Sequence, residues 1–451
     1  MKRALAIKKI FTQKNGKHSL SASLPSIMFV ISFVFTSFSC KSPTAPGSKG
    51  ISLSVEDVSC TEAWLNITAN NIALPANILI KKNGNNFLNL ILINNDTTLY
   101  DSTLSPSQIY TYQAEYSKGF AFERSETVTT RTLDTTSSIF TWQTFTFGEP
   151  SAGSSALNDA AIISADNIIA VGEIYMNDST GKPDPLPYNA VHWDGSNWEL
   201  KRITTEFRGS LVTVPLEGIF AFSPTDIWAI GSLPIHGDGQ NWTMYDVRTT
   251  TDPSLSLSKA WGSNSNNMYF VGMNGSIAHY QNGQWSKIES GTDWNIYDIF
   301  GYTNPTNSQQ ELLCASTNAN DYSSSAILKI TNQTKIEKID LPSNRLTGSV
   351  WTTKGFPVYV CGDGVFTNKT GRWEEIKLPV NYVTSKIRGN SLNDIFLCGV
   401  LGLIAHYNGK DWKIYNNVYN AVYASVNFED NTSVFVGWRN GKGVITIGRR
   451  N

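Results

Sequence analysis

A short apolar run closed by a small residue recurs seven times after residue 135, and this recurrence limits the fold more than any other feature of the chain. The runs are IIAVG (ending at Gly172), IWAIG (Gly231), MYFVG (Gly272), ELLCA (Ala315), VYVCG (Gly362), IFLCG (Gly399) and VFVG (Gly437). Their spacing ranges from 37 residues, Gly362 to Gly399, to 59, Gly172 to Gly231. Another strand-like segment leads into each run through an Asn, Asp or Ser turn, and a third follows it. A Gly-bearing turn and a tryptophan then close the unit at Trp198, Trp242, Trp285, Trp373 and Trp412, with Ile336 in that place in the fourth repeat. A period near 40 built only of strand signals is that of a four-stranded β-propeller blade. The seventh repeat stops at VITIGRRN without a fourth strand, while IFTWQTFTFG offers Trp142 just ahead of the first. The expectation is an all-β chain whose residues 135–451 form a seven-bladed propeller closed by its own N-terminal strand, which leaves no sheet edge open.

The start of the chain has another character. Lys2, Arg3, Lys8, Lys9, Lys14 and Lys17 precede the apolar run Ile27 to Phe35, and no acid appears before Glu56. A basic stretch followed by an apolar run too short to span a bilayer reads as an export signal over 1–39. The run ends at Ser39-Cys40, followed by a Pro/Ser/Gly-rich tether over 40–49, and resembles the lipobox of bacterial lipoproteins, with Ser37 and Phe38 in place of the usual residues. That resemblance implies acylation of Cys40, membrane attachment through the lipid alone, and a cell-envelope location, with plain secretion as the alternative. Without those six cations, 30 basic residues face 37 acidic ones, so the body is mildly acidic and unsuited to nucleic acid.

Residues 50–134 read as about seven short alternating strands, the pattern of a β-sandwich. Leu104, Pro106, Tyr110, Tyr112 and Ala114 resemble the LxPxxxYxYxA signature of fibronectin type III domains. The resemblance implies that Tyr110 caps the loop entering its strand, and Trp64 is expected as the central aromatic of the core.

No catalytic constellation stands out. His192, His279 and His406 occupy one slot of the repeat and His236 lies close to it, so they are spread around the ring and cannot converge on one ion. Cys361, Cys398 and Cys314 each precede the small residue of the second strand, as buried substitutes for valine, and no CxxC pair occurs. HExxH, GxSxG, P-loop and EF-hand patterns are missing, and no cofactor or metal is expected. The DGSNW and NGKDW turns are similar to the Asp-box of sialidase propellers, but lack its Ser and leading Asp. A propeller glycoside hydrolase would need a convergent acid pair, for which Asp159 and Asp298 on inner strands are the candidates.

The remaining candidates lie in irregular loops, where a rigid scaffold concentrates binding residues. The longest loop, Glu173 to Tyr188, offers Tyr175, Asp178, Lys182, Asp184 and Tyr188. Others offer Phe207 and Arg208, Asp293 and Trp294, Asp321 and Tyr322, and Trp438 and Arg439. Exposed aromatics beside planar polar groups suit a glycan or a protein ligand. The repeat from Trp261 to Trp285, the stretch Tyr188 to Ile203 and the opening VSCTEAWLNI together resemble a group of bacterial exported lipoproteins with a fibronectin type III-like domain followed by a repeat propeller. That resemblance implies an architecture and an envelope address, and it brings no functional residues. The expected function is a non-catalytic envelope protein whose propeller binds a glycan or protein, with a structural subunit of an envelope complex as the alternative.

Overall fold

The computed structural model describes residues 50–118, 121–320, 324–341, 345–416 and 418–451. Cys40 and the export segment lie outside the described residues, as do Asp321 and Tyr322. Among the described residues nearly all regular structure is β, and the longest helix is the single turn Val247–Thr250.

Residues 50–131 form two sheets. Gly50–Val58, Ala63–Asn70 and Asp96–Asp101 make one, and Asn85–Leu92, Ala76–Lys82, Ile109–Lys118 and Ala121–Arg124 the other, with Val128–Arg131 also paired to Ile109–Lys118. Leu65, Ile67, Ile78, Ile80 and Tyr112 fill the space between them. The Tyr110 hydroxyl accepts the Ser105 amide at 2.9 Å, which ties down the loop ahead of that strand. Trp64 departs from expectation. Successive side chains of a strand point to opposite faces, so with Ala63, Leu65 and Ile67 inside, Trp64 turns outward. It is still only 1% exposed, because it packs on Tyr100 and on Phe356 of the C-terminal region and donates from Nε1 to the Lys369 carbonyl at 2.7 Å. Glu62 beside it takes the Tyr100 hydroxyl and pairs with Lys369. The N-terminal sandwich is thus seated on the rest of the chain through a buried aromatic and an ion pair.

From residue 140 onward seven antiparallel sheets follow one another among the described residues. Their first strands are Ala156–Ser164, Gly218–Ser223, Leu257–Asn264, Asn295–Thr303, Thr347–Thr352, Thr384–Ser391 and Val422–Glu429, here numbered sheets 1 to 7. Each first strand neighbours that of the next sheet, and the last neighbours the first. In sheet 7 the outermost strand is Phe140–Phe147, antiparallel to Lys442–Arg450 with Trp142 opposite Gly448. Sheet 2 is wider than the repeat requires. The hairpin Thr204–Phe207 and Ser210–Thr213 adds to its outer edge through a parallel pairing of Glu206 with Thr243.

The repeated tryptophans behave as one structural class. Trp198, Trp242, Trp285, Ile336, Trp373, Trp412 and Trp142 each join a different hydrophobic cluster, and each cluster spans a pair of adjacent sheets. Trp285 meets Tyr280 at 4.9 Å, Phe270 at 5.2 Å and Tyr245 at 5.3 Å between ring centroids. Trp285→Ala is expected to lower stability by about 3 kcal/mol, the low end for a core aromatic since the ring is only half buried. A chemical-denaturation midpoint unchanged from wild type would refute its role as the wedge between sheets 2 and 3.

The fourth repeat needs a correction of phase. Asp298 pairs with Ala315 as Asp159 pairs with Val171, so Ser316 and not Ala315 is the counterpart of Gly172. With no glycine to set the phase, Cys314, Ala315 and Ser316 were equally small candidates. Cys314 therefore faces the cluster with sheet 3, whereas Cys361 faces sheet 6. Cys60, Cys314, Cys361 and Cys398 are all free and buried.

Candidate functional site

The inner strands carry a device that repeats with the sheets. In six of them the pairing with the second strand slips at an equivalent place near the start of the strand: between Leu157 and Asp159, Leu257 and Lys259, Ile296 and Asp298, Thr347 and Ser349, Thr384 and Lys386, and Tyr423 and Ser425. A bulge re-aims the side chain that follows it. The residues so placed are Asp159, Lys259, Asp298, Ser349, Lys386 and Ser425, all polar. Sheet 2 has Gly218 opposite Ile230 in that slot with no slip there, and a Cβ on Gly218 would stand 2.3 Å from the Ser258 carbonyl oxygen.

Asp159, Lys259, Asp298 and Lys386 meet at a cavity of about 170 Å³ lined by first strands of all seven sheets. Asp298, 1% exposed, accepts Lys386 Nζ and Arg388 Nη2 at 2.7 Å on Oδ1, and Arg388 Nη1 at 2.8 Å and Ser349 Oγ at 2.5 Å on Oδ2. Asp159 accepts Ser425 Oγ at 2.7 Å and Lys259 Nζ at 3.1 Å. Phe220, Trp261, Phe300, Trp351 and Phe428 supply aromatic wall, and the Arg388 guanidinium lies 5.3 Å over the Phe300 ring.

Burial alone would raise both carboxyls, but Arg388 and Lys386 hold Asp298 well below the carboxylate range, and Lys259 and Lys386 hold Asp159 down. Lys386 is also pushed down, because burial and the Arg388 charge together outweigh the pull of Asp298. The pair that a glycosidase would need is therefore two acids held towards their ionised form, each clamped by cations. A general acid at neutral pH needs the opposite shift. Three cations against two acids leave the cavity with one positive charge in excess.

The loop residues singled out in the sequence are not gathered into one site. Asp178 accepts the Thr180 amide at 2.8 Å and the Lys182 amide at 3.1 Å, closing its own turn, while the Lys182 side chain is exposed. Asp184 takes Arg202 Nη2 at 2.6 Å, and that guanidinium lies 3.8 Å over the Tyr188 ring. Tyr175 covers Gly153, where a Cβ would come within 2.6 Å of the ring. Phe207 and Arg208 sit in the added hairpin of sheet 2, away from the cavity lining, with Arg208 bound to Asp246 at 2.7 Å. Asp293 is exposed, while Trp294 lies beneath Lys338 Nζ at 4.5 Å. Trp438 is 39% exposed and Arg439 lies over Tyr419 at 4.9 Å. The four histidines do not converge, and each is anchored within its own sheet: Nε2 of His192, His236, His279 and His406 meets Asn167, Asp226, Asn267 and Asp394, respectively, at 2.8 to 3.0 Å. His236 shares the slot of the others, since it stands opposite Trp228 as His279 stands opposite Tyr269.

Successive sheets of four strands, one of them widened by a hairpin, with a shared cavity on their inner strands define the class as a β-propeller. No protein-family model matches the chain, and no curated protein matches it. Among solved structures it is similar to YCF48 bound to a D1 peptide, at 14% identity and a TM-score of 0.51, covering 69% of this chain and 97% of that one. It is also similar to YCF48 from Cyanidioschyzon merolae, at 15% identity and a TM-score of 0.46, covering 68% of this chain and 98% of that one. A third similarity is to BamB from Moraxella catarrhalis, at 13% identity and a TM-score of 0.39, covering 70% of this chain and 98% of that one. At such identity the first likeness speaks for the propeller fold alone.

Proposed function

We propose that this chain is a non-catalytic binding module of the cell envelope: a seven-bladed propeller with a fibronectin type III-like domain seated on it, tethered through an acylated Cys40. Its ligand is a protein or peptide segment that presents a carboxylate to the central cavity. The observation that carries this reading is the surplus cation, Lys386, whose Nζ makes a single hydrogen bond among those of the described residues. Its two other N–H donors can meet an incoming acid, and charge-assisted bonds inside a cavity are stronger than in water. The clamped state of Asp159 and Asp298 supports binding over hydrolysis. A peptide is preferred to a glycan because Trp294, one of the loop aromatics that suit a sugar, is covered by Lys338. YCF48 was solved with a peptide bound, and that is the kind of ligand proposed here.

A peptide-display selection on the full chain tests this reading. Enrichment of segments with Asp, Glu or a free C-terminus is expected, with at least tenfold weaker binding to Lys386→Met, in which Arg388 still neutralises Asp298. Selected peptides that ignore Lys386→Met, or oligosaccharides that bind where no peptide does, would reject it.

A further inference from the structure

The histidines of the third strands reveal a cavity of a different kind. In sheet 2 the Trp228 ring stacks on its cross-strand neighbour His236 at 4.3 Å and 14°, and in sheet 3 Tyr269 stacks on His279 at 4.1 Å and 12°. In sheet 6 Phe396 lies 4.7 Å from His406. All three aromatic rings are at most 1% exposed. Sheet 1 keeps the histidine and its anchor, His192 on Asn167 at 3.0 Å, but the residue opposite is Ile169, which stays partly exposed. The space that a ring fills elsewhere is open. It forms a cleft of about 560 Å³ between sheets 1 and 2, with Ile169, Ile203 and Ile227 among its apolar lining and His192 and Trp242 among its ring-bearing residues. That size falls within the range of small-ligand sites, about 300–1,000 Å³.

We propose that this cleft binds an aromatic ring, which lies against His192 in the place that Trp228, Tyr269 and Phe396 occupy in their own sheets. The protein itself shows twice what an imidazole in this slot stacks on, and a third time, at a 37° tilt, that an aromatic ring packs against it. Ile203 and Ile227 back the cleft with apolar surface that rewards desolvating a flat ring, while Asn167, Lys201, Asp238 and Gln240 stand among its polar lining, so the stacking slot beside His192 is what favours an aromatic ring over a sugar. The cleft shares no lining residue with the central cavity, so this site stands or falls apart from the carboxylate reading.

The full chain is titrated with indole and with N-acetyl-tryptophanamide, following the His192 imidazole by NMR, with glucose as the comparison. A saturable shift with the aromatic probes and none with glucose is expected. Tighter binding of the amide assigns the ring to a polypeptide, and tighter binding of indole assigns it to a free aromatic compound. Ile169→Tyr, which copies Tyr269, is expected to fill the cleft, keep or raise the thermal midpoint and weaken the probe at least tenfold. Should that variant fail to fold, His192→Ala removes the stacking partner without touching the core, and a tenfold loss is expected there as well, read from the Trp242 indole resonance. No shift at saturating probe, wild-type affinity in a folded variant, or the same shift with glucose overturns the proposal.

Discussion

Asp298→Ala is expected to lower stability by about 3–5 kcal/mol, because it strands Lys386 and Arg388 at a buried site without their counter-ion. The drop is read from the denaturant midpoint at unchanged slope. Adding Lys386→Met should recover part of the loss, since one of the two uncompensated charges is then gone. The same residue sets an acid limit. Its carboxyl is held below the ordinary range in the folded state, so below the ordinary value, about 3.9, the unfolded chain binds the extra proton. The contribution of Asp298 is therefore complete above about pH 4 and fades as pH falls towards its depressed folded value. Wild type should lose stability with acid more steeply than Asp298→Ala, and parallel acid titrations of the two would contradict the clamp.

Trp64→Ala is expected to remove about 3–5 kcal/mol and to change the form of unfolding as well as its midpoint. The indole is the largest buried side chain joining the N-terminal sandwich to the propeller, and its Nε1 bond to the Lys369 carbonyl is lost with it. With the ion pairs of Glu62 with Lys369 and Asp57 with Lys354 and the packing of Cys60 on Gly409 left as ties, calorimetry should resolve two transitions where wild type shows one. A single transition at the wild-type temperature would mean that the two parts are held together elsewhere.

The repeats were legible because glycine and tryptophan mark fixed points in each one: Gly172 leaves no room for a side chain beside Ala156, and Trp198 and its counterparts wedge the sheets apart. The central cavity was only half legible. Asp159 and Asp298 could be picked out as inner-strand acids, yet their partners lie far off in sequence, Lys259 100 residues from Asp159 and Arg388 90 from Asp298. The bulges that bring them together have no signature, for they follow Leu157, Thr347 or Tyr423 alike. Loop length pointed to Asp178 and Asp184, but length does not reveal that a carboxylate already serves its own turn or a neighbouring arginine. Trp64 was misplaced because a motif outweighed the alternation of Ala63, Leu65 and Ile67 around it.

The pairing of Phe140–Phe147 with Lys442–Arg450 also governs when the molecule can finish folding. Thr144 reaches across to Thr446, 302 residues later, so the last sheet cannot be completed until the strand Lys442–Arg450 has been made. Until then sheet 1 lacks a neighbour on one side, and its face with Leu157, Ile168 and Val191 stays wet. Contacts this distant in sequence form slowly, and an open intermediate with a bare apolar flank is a target for aggregation. A chain lacking the strand Lys442–Arg450 should therefore be recovered chiefly as aggregate, although the other six sheets are intact in sequence.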